Sequence, residues 1–143
     1  MFLSTASYLL GTLWAGMVIG ISFVAQPAKF KTPQLTRVAA LATGRQIFRS
    51  MHAAEAVLAS ACILLSIFSA GHNADKPLYL ATGILLMQVF ALMPPLSRRV
   101  DLLLAGKELH GSSHHLIFAV LEVIKLALLI VFALPLFTLT YHG

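Results

Sequence analysis

Long apolar runs separated by short polar segments extend along the whole chain. Residues 1–28 and 77–97 contain no Asp, Glu, Lys or Arg, residues 50–71 contain one, and residues 116–141 contain two. About 20 mainly apolar residues are enough for a helix to cross a bilayer. The pattern therefore predicts an all-α fold, an antiparallel bundle of four transmembrane helices that forms one integral membrane domain over residues 1–143. The predicted spans cover about residues 5–26, 47–70, 77–96 and 114–138.

The segment between the first two spans is long enough for structure of its own. Thr32 followed by Pro33 is typical of a helix start, with an N-cap and then a residue tolerated at N1. Apolar residues then recur at helical spacing, at Leu35, Val38, Ala39 and Ala42. We expect a short amphipathic helix on the cytoplasmic surface, and an irregular loop is the alternative.

The third span is expected to kink or stop at Pro94 and Pro95, because each proline removes a backbone donor. Gly106 would then close a short interfacial turn after them. Inspection of the sequence alone gives no internal repeat and no low-complexity segment.

Composition supports a membrane protein. The chain is 59% hydrophobic and 10% charged, whereas soluble domains have about 25% charged residues. The first apolar run lacks the positively charged start of a signal peptide and is longer than its apolar region, so we expect a retained helix. The single cysteine, Cys62, excludes an intrachain disulfide and is expected to be a small packing residue.

The net charge of +5 is explained by topology. Nearly all basic residues follow the first or third span or begin the second, at Lys29, Lys31, Arg37, Arg45, Arg49, Arg98, Arg99 and Lys107. By the positive-inside rule, these segments face the cytoplasm and both termini face the periplasm. The expected partner of the basic residues is the lipid bilayer, not nucleic acid.

Polar residues inside the spans share one helix face. Heptad spacing in the second span gives His52, Glu55, Ala59, Cys62, Ser66 and Ser69, and in the fourth span it gives Gly111, His115, Phe118, Glu122, Lys125 and Leu129. At 1.5 Å per residue, Glu55 lies roughly 10 Å past Phe48 and Glu122 roughly 10 Å past His115, so the two acids should lie at a similar depth within the membrane. A charge there costs about 2.5–3.5 kcal/mol, so these residues should face inward. We therefore predict a buried polar cluster of Glu55, Gln88, Glu122 and Lys125.

The predicted cluster has two interpretations. It could be a structural clamp that fixes helix register, or a functional site, which is the usual role of ionisable residues within a membrane. His52 and His115 would form a proton or metal mouth at its cytoplasmic end. A haem or a transition metal between them is possible in principle, but "HAAE" reverses the Glu-x-x-His order of bundle metal sites. We therefore expect no cofactor and no metal.

The first span contains Gly16 and Gly20, four residues apart. This spacing predicts a close approach of a neighbouring helix backbone. The sequence contains no nucleophile–base set, no glycine-rich phosphate loop and no dinucleotide fingerprint, so we do not expect an enzyme. The chain is expected to act as a subunit of a membrane complex or as a homo-oligomer. A transporter of an ion or small solute, for which the carboxylates could provide proton coupling, is the alternative; the absence of a broken-helix pair or an inverted repeat disfavours it.

Several motifs also resemble a family of small four-helix membrane proteins encoded in many proteobacteria. The motifs are "LWAG" with Phe23, "QPAKF" through Pro27, Lys29 and Phe30, "GRQIF" followed by Glu55, "PPLSRRVDLLLAG" around Pro95, Arg99 and Gly106, and "HHLIFAVLEVIKL" with His115, Glu122 and Lys125. More distantly, the chain is similar to a domain-of-unknown-function group that includes a eukaryotic transmembrane protein tied to cisplatin resistance. The resemblance implies a four-helix fold in a bacterial inner membrane, and it implies no chemistry.

Overall fold

The computed structural model describes residues 2–69, 75–108 and 113–141, with side chains of the last helix described as far as residue 137. Within these ranges, all regular structure is helical. It consists of α1 (Phe2–Val18), a π-helical segment (Ile19–Ala25), α2 (Gln26–Phe30), α3 (Arg37–Phe68), α4 (Lys76–Met87), a second π-helical segment (Gln88–Leu92), α5 (Met93–Leu104) and α6 (His114–Tyr141).

These elements join into four continuous helices that are long and apolar enough to cross a membrane. We refer to them as spans 1 to 4: Phe2–Phe30, Arg37–Phe68, Lys76–Leu104 and His114–Phe137. The four predicted spans are therefore found, and spans 1 and 3 extend beyond their predicted ends. The predicted end of the second span, residue 70, lies outside the described residues.

The predicted separate helix between spans 1 and 2 is wrong. Residues 31–36 are non-helical, and α3 then runs without interruption from Arg37. The N-cap is Thr36, whose side chain accepts a hydrogen bond from the Ala39 amide at 3.2 Å. Of the apolar positions that indicated a separate helix, Val38, Ala39 and Ala42 lie in the first turns of span 2, and Leu35 precedes its N-cap. Thr36 satisfies one of the free amides there, which Thr32 cannot reach.

Of the two outcomes predicted at Pro94 and Pro95, a stop is wrong, because the helix continues to Leu104, and a kink stays a prediction. A proline ring clashes with the carbonyl four residues before it in an α-helix. Spans 1 and 3 are each interrupted by a π-helical segment that contains this carbonyl. It belongs to Phe23 in the case of Pro27 and to Phe90 in the case of Pro94. The wider π turn therefore accommodates the ring without ending the helix. Gly106, with φ of 78°, ends the helix instead, as expected for a left-handed C-terminal glycine.

A core of apolar side chains lies between the four helices. It includes the fully buried side chains of Trp14, Val18, Leu78 and Leu129. A close approach does occur in span 1, at Gly11, where an added Cβ would lie 2.7 Å from the Phe132 ring of span 4.

The expected close approach at Gly16 and Gly20 is absent from this structure. Both glycines are exposed, and a Cβ on either one would have no described atom within 4 Å. The buried face of span 1 contains Gly11 and Trp14 instead, and the close contact at Gly11 is with a side-chain ring, not with a helix backbone.

Spans 1 and 2 correspond to spans 3 and 4 at a constant offset. Pro27 and Pro94 are 67 residues apart, and so are Glu55 and Glu122. The π-helical segments before the two prolines end at the same offset. Equivalent positions are buried in both halves: Gly11 and Leu78, Trp14 and Ala81, Val18 and Leu85, Met51 and Phe118, Cys62 and Leu129, Ser66 and Ala133. The chain thus contains an internal repeat of two helix pairs that sequence inspection did not reveal.

Candidate functional site

A buried ionic cluster lies where all four spans meet. The structure brings together the four residues expected from the sequence, Glu55, Gln88, Glu122 and Lys125. Each is at most 2% exposed. Lys125 is at the centre, because its Nζ lies 2.6 Å from Glu55 Oε1, 2.7 Å from Glu122 Oε1 and 2.9 Å from Gln88 Oε1. An ammonium has three donors, so each of them has an acceptor.

Glu55 is held by span 1 as well as by span 4. The indole nitrogen of Trp14 donates to Glu55 Oε1 at 2.8 Å. The other carboxylate oxygen lies 2.7 Å from His52 Nδ1. Because a carboxylate only accepts, Nδ1 carries the hydrogen in this contact. Both oxygens of Glu55 are therefore satisfied by buried donors, which the desolvation of a carboxylate requires.

Glu122 is held in a similar way by residues from the two interrupted spans. Gln88 Nε2 donates to Glu122 Oε1 at 2.8 Å, and Ser22 Oγ donates to Glu122 Oε2 at 2.6 Å. Ser22 and Gln88 each lie in a π-helical segment. Such segments occur often at functional sites, and here each of them presents a hydrogen-bond donor to the same carboxylate.

The repeat explains why the cluster has two acids, and also why its charges do not balance. Glu55 and Glu122 occupy equivalent positions in the two helix pairs. Lys125 has no such counterpart, because its equivalent is Leu58. Two carboxylates thus share one ammonium, and the remaining charge depends on the protonation of His52 or of a carboxyl group.

One ring nitrogen of His52 has no hydrogen-bond partner among the described residues. His52 is 5% exposed, and its Nε2 is buried without a hydrogen bond. If Nδ1 carries the hydrogen toward Glu55, the neutral ring leaves a lone pair on Nε2, which can take up a proton. His52 packs against Phe48 and Phe118, at centroid distances of 6.1 Å and 5.7 Å, and these two rings contact each other at 4.6 Å.

His115 does not join the cluster. It is exposed and lines a cavity of about 560 Å³ that also borders Phe48 and Phe118. The predicted pairing of His52 with His115 at one mouth is therefore not found. His52 packs against the rings of Phe48 and Phe118, whereas His115 lines the cavity that these rings border. Over the described ranges, no group of three His, Cys, Asp or Glu side chains is placed to hold a metal ion.

Comparisons of the chain with family models, curated proteins and solved structures give no match. The resemblance to the proteobacterial membrane family therefore stays a prediction. What the site can do has to be argued from its own geometry.

Two members of the cluster, Trp14 and Ser22, were not predicted. Trp14 lies in a run without charges, where an aromatic ring is normally read as apolar. Its indole N–H still needs an acceptor when buried, and this requirement is the signal that could have identified it. Ser22 carries no comparable signal, because its inward position depends on the π-helical segment.

Proposed function

We propose that the protein is a non-enzymatic integral membrane protein that transports an ion, namely the proton bound at the ionic cluster. The observation that carries this proposal is the sharing of Lys125 between Glu55 and Glu122, beside an unpartnered His52 nitrogen. A structural ion pair needs one acid and one base. This cluster holds a second acid and a titratable ring in addition.

The charge balance supports an exchangeable proton. With both carboxylates ionised, Lys125 charged and His52 neutral, the buried cluster would have a net negative charge. An uncompensated charge in a low-dielectric interior is strongly unfavourable. One additional proton, on His52 or on a carboxyl group, neutralises the cluster. The proton is held beside Phe48 and Phe118, whose rings separate His52 from the cavity.

The interrupted spans favour carriage over a purely static role. In transporters with internal repeats, corresponding Gly- or Pro-interrupted helices mark the binding site. Here Pro27 and Pro94 occupy corresponding positions, and the π-helical segments before them carry Ser22 and Gln88. The helices of spans 1 and 3 are continuous, so the site is formed at π-helical segments and not at a broken-helix pair.

The proposal places the four spans antiparallel in a bacterial inner membrane, with both termini in the periplasm. Contacts of Ser7 with Cys62, Trp14 with Glu55 and Gln26 with Gly44 support opposite directions for spans 1 and 2. The distribution of basic residues supports the orientation. Four spans leave little room for a pathway, so we propose that the protein works as a homo-oligomer or with partner subunits.

Proton flux across vesicles of phosphatidylcholine tests this function. The protein is reconstituted with a pH-sensitive dye inside, and a pH gradient is imposed. Wild-type protein should dissipate the gradient faster than Glu55→Leu/Glu122→Leu/Lys125→Met, which removes the whole cluster. His52→Gln is the matched variant, because its amide can still donate to Glu55 but cannot take up a proton at neutral pH. It should fold and lose the flux.

A second candidate, a structural clamp, is favoured by one observation: every oxygen of Glu55 and Glu122 has a donor. Replacement of a complete buried ion cluster by apolar residues is often neutral or stabilising. If the apolar triple variant and wild type dissipate the gradient at equal rates, the proton-coupled function is wrong and the clamp remains.

A further inference from the structure

The cavity outside the aromatic contact has the chemistry of a lipid-binding site. It lies at the ends of spans 1 and 3 and the beginnings of spans 2 and 4, so all four spans contribute to its wall. Its volume of about 560 Å³ falls within the roughly 300–1,000 Å³ of small-molecule sites. Much of the wall is apolar, from Phe30, Leu41, Phe48, Leu103 and Phe118.

The charged part of the cavity wall is entirely basic. Among the described residues that line it, Lys29, Arg37, Arg45 and Arg99 are basic and none is acidic. Arg45 is paired with Asp101, which lies outside the lining. The Lys29 ammonium lies 5.0 Å from the Phe30 ring centroid and 6.0 Å from that of Phe48. The cation is thereby held at the boundary between the charged rim and the apolar wall.

We propose that this cavity binds an anionic phospholipid, with its phosphate at Lys29, Arg37 and Arg99 and an acyl chain against the apolar wall. A free anion would leave the apolar wall exposed, and a neutral lipid would carry no charge complementary to the basic lining. Basic pockets between transmembrane helices on the cytoplasmic side are known to bind anionic head groups. Binding itself does not require proton flux, so this proposal and the proposed function can fail separately.

The test uses phosphatidylglycerol with a pyrene-labelled acyl chain, added to the protein in maltoside micelles. The chain has one tryptophan, Trp14, and energy transfer from it to pyrene reports binding. Arg37→Gln/Arg99→Gln should weaken binding about 30-fold, from about 1 kcal/mol for each basic residue near an anionic lipid. Arg49→Gln/Arg98→Gln removes the same charge from positions outside the lining and should leave binding unchanged.

Three further measurements distinguish specific binding of an anionic lipid from binding of a neutral lipid or of a free anion. Pyrene-labelled phosphatidylcholine should bind weakly and respond to neither double variant. Leu103→Phe, which reduces the cavity, should weaken binding, whereas Leu104→Phe on the exposed neighbour should not. Inorganic phosphate should not displace the labelled lipid at comparable concentrations. Equal binding of the two lipids, equal loss in both arginine pairs, or displacement by phosphate alone would each overturn the proposal.

Discussion

Replacement of Lys125 by methionine should strand two acids in the interior. Lys125→Met keeps a long, unbranched side chain and removes the only ammonium of the cluster. Glu55 would retain Trp14 and His52 as donors, and Glu122 would retain Gln88 and Ser22. Gln88 Oε1 would lose its donor. The substitution therefore mainly removes the positive charge that compensates the two carboxylates, and the volume of the buried side chain changes little.

The expected cost follows from the burial of both ion pairs. Lys125 and Glu55 are fully buried, and Glu122 is 2% exposed. Removing one partner of a buried pair costs about 3–5 kcal/mol. We therefore expect Lys125→Met to lower the free energy of unfolding by about 3–5 kcal/mol.

Adding Glu122→Gln to Lys125→Met should recover part of the stability. It removes one stranded charge, and the new amide can donate to Gln88 Oε1. The assay is the free energy of unfolding in mixed micelles of maltoside and dodecyl sulfate, for wild type, both single variants and the double variant. If Lys125→Met is as stable as wild type, the three charged groups do not share a cluster and the reasoning fails.

Other predictions follow from the packing and the topology. Gly11→Ala should cost about 1–3 kcal/mol by overpacking against the Phe132 ring, whereas Gly16→Ala, on an open face, should not destabilise; equal effects in thermal unfolding would contradict this packing. In a Cys62→Ser background, cysteines at Ser4 and Gly143 should react with a membrane-impermeant reagent in intact cells, and labelling only after lysis would reverse the proposed orientation. The purified protein should show no Soret absorption band, and a band would restore a haem site.

Much of the fold could be predicted from the sequence because hydropathy directly reports the segments that can cross a membrane. The charged members of the cluster could also be predicted, because an ionisable side chain within an apolar helix must face the interior of the bundle and not the lipid. Glu55, Glu122 and Lys125 were each constrained in this way. The repeat was harder to find, since its halves share burial more than residue identity.

What the sequence could not give depends on local helix geometry. In span 1, Val18, Ser22 and Gln26 are spaced by four, and this spacing would drift around a helix of 3.6 residues per turn. The wider π turn holds Ser22 within reach of Glu122. No residue type predicts a π turn from the sequence, although the clash of the Pro27 ring with the carbonyl four residues before it favours a wider turn there.

The central claim is that the ionic cluster holds one exchangeable proton. Infrared difference spectroscopy of the protein in bilayers, between about pH 5 and 8, where histidine normally titrates, tests it most directly. We predict a reversible signal from a protonated carboxyl group or an imidazolium ring, present in wild type and absent from Glu55→Leu/Glu122→Leu/Lys125→Met. His52→Gln should alter the same signal. A wild-type spectrum that matches that of the folded triple variant across this range would contradict the account.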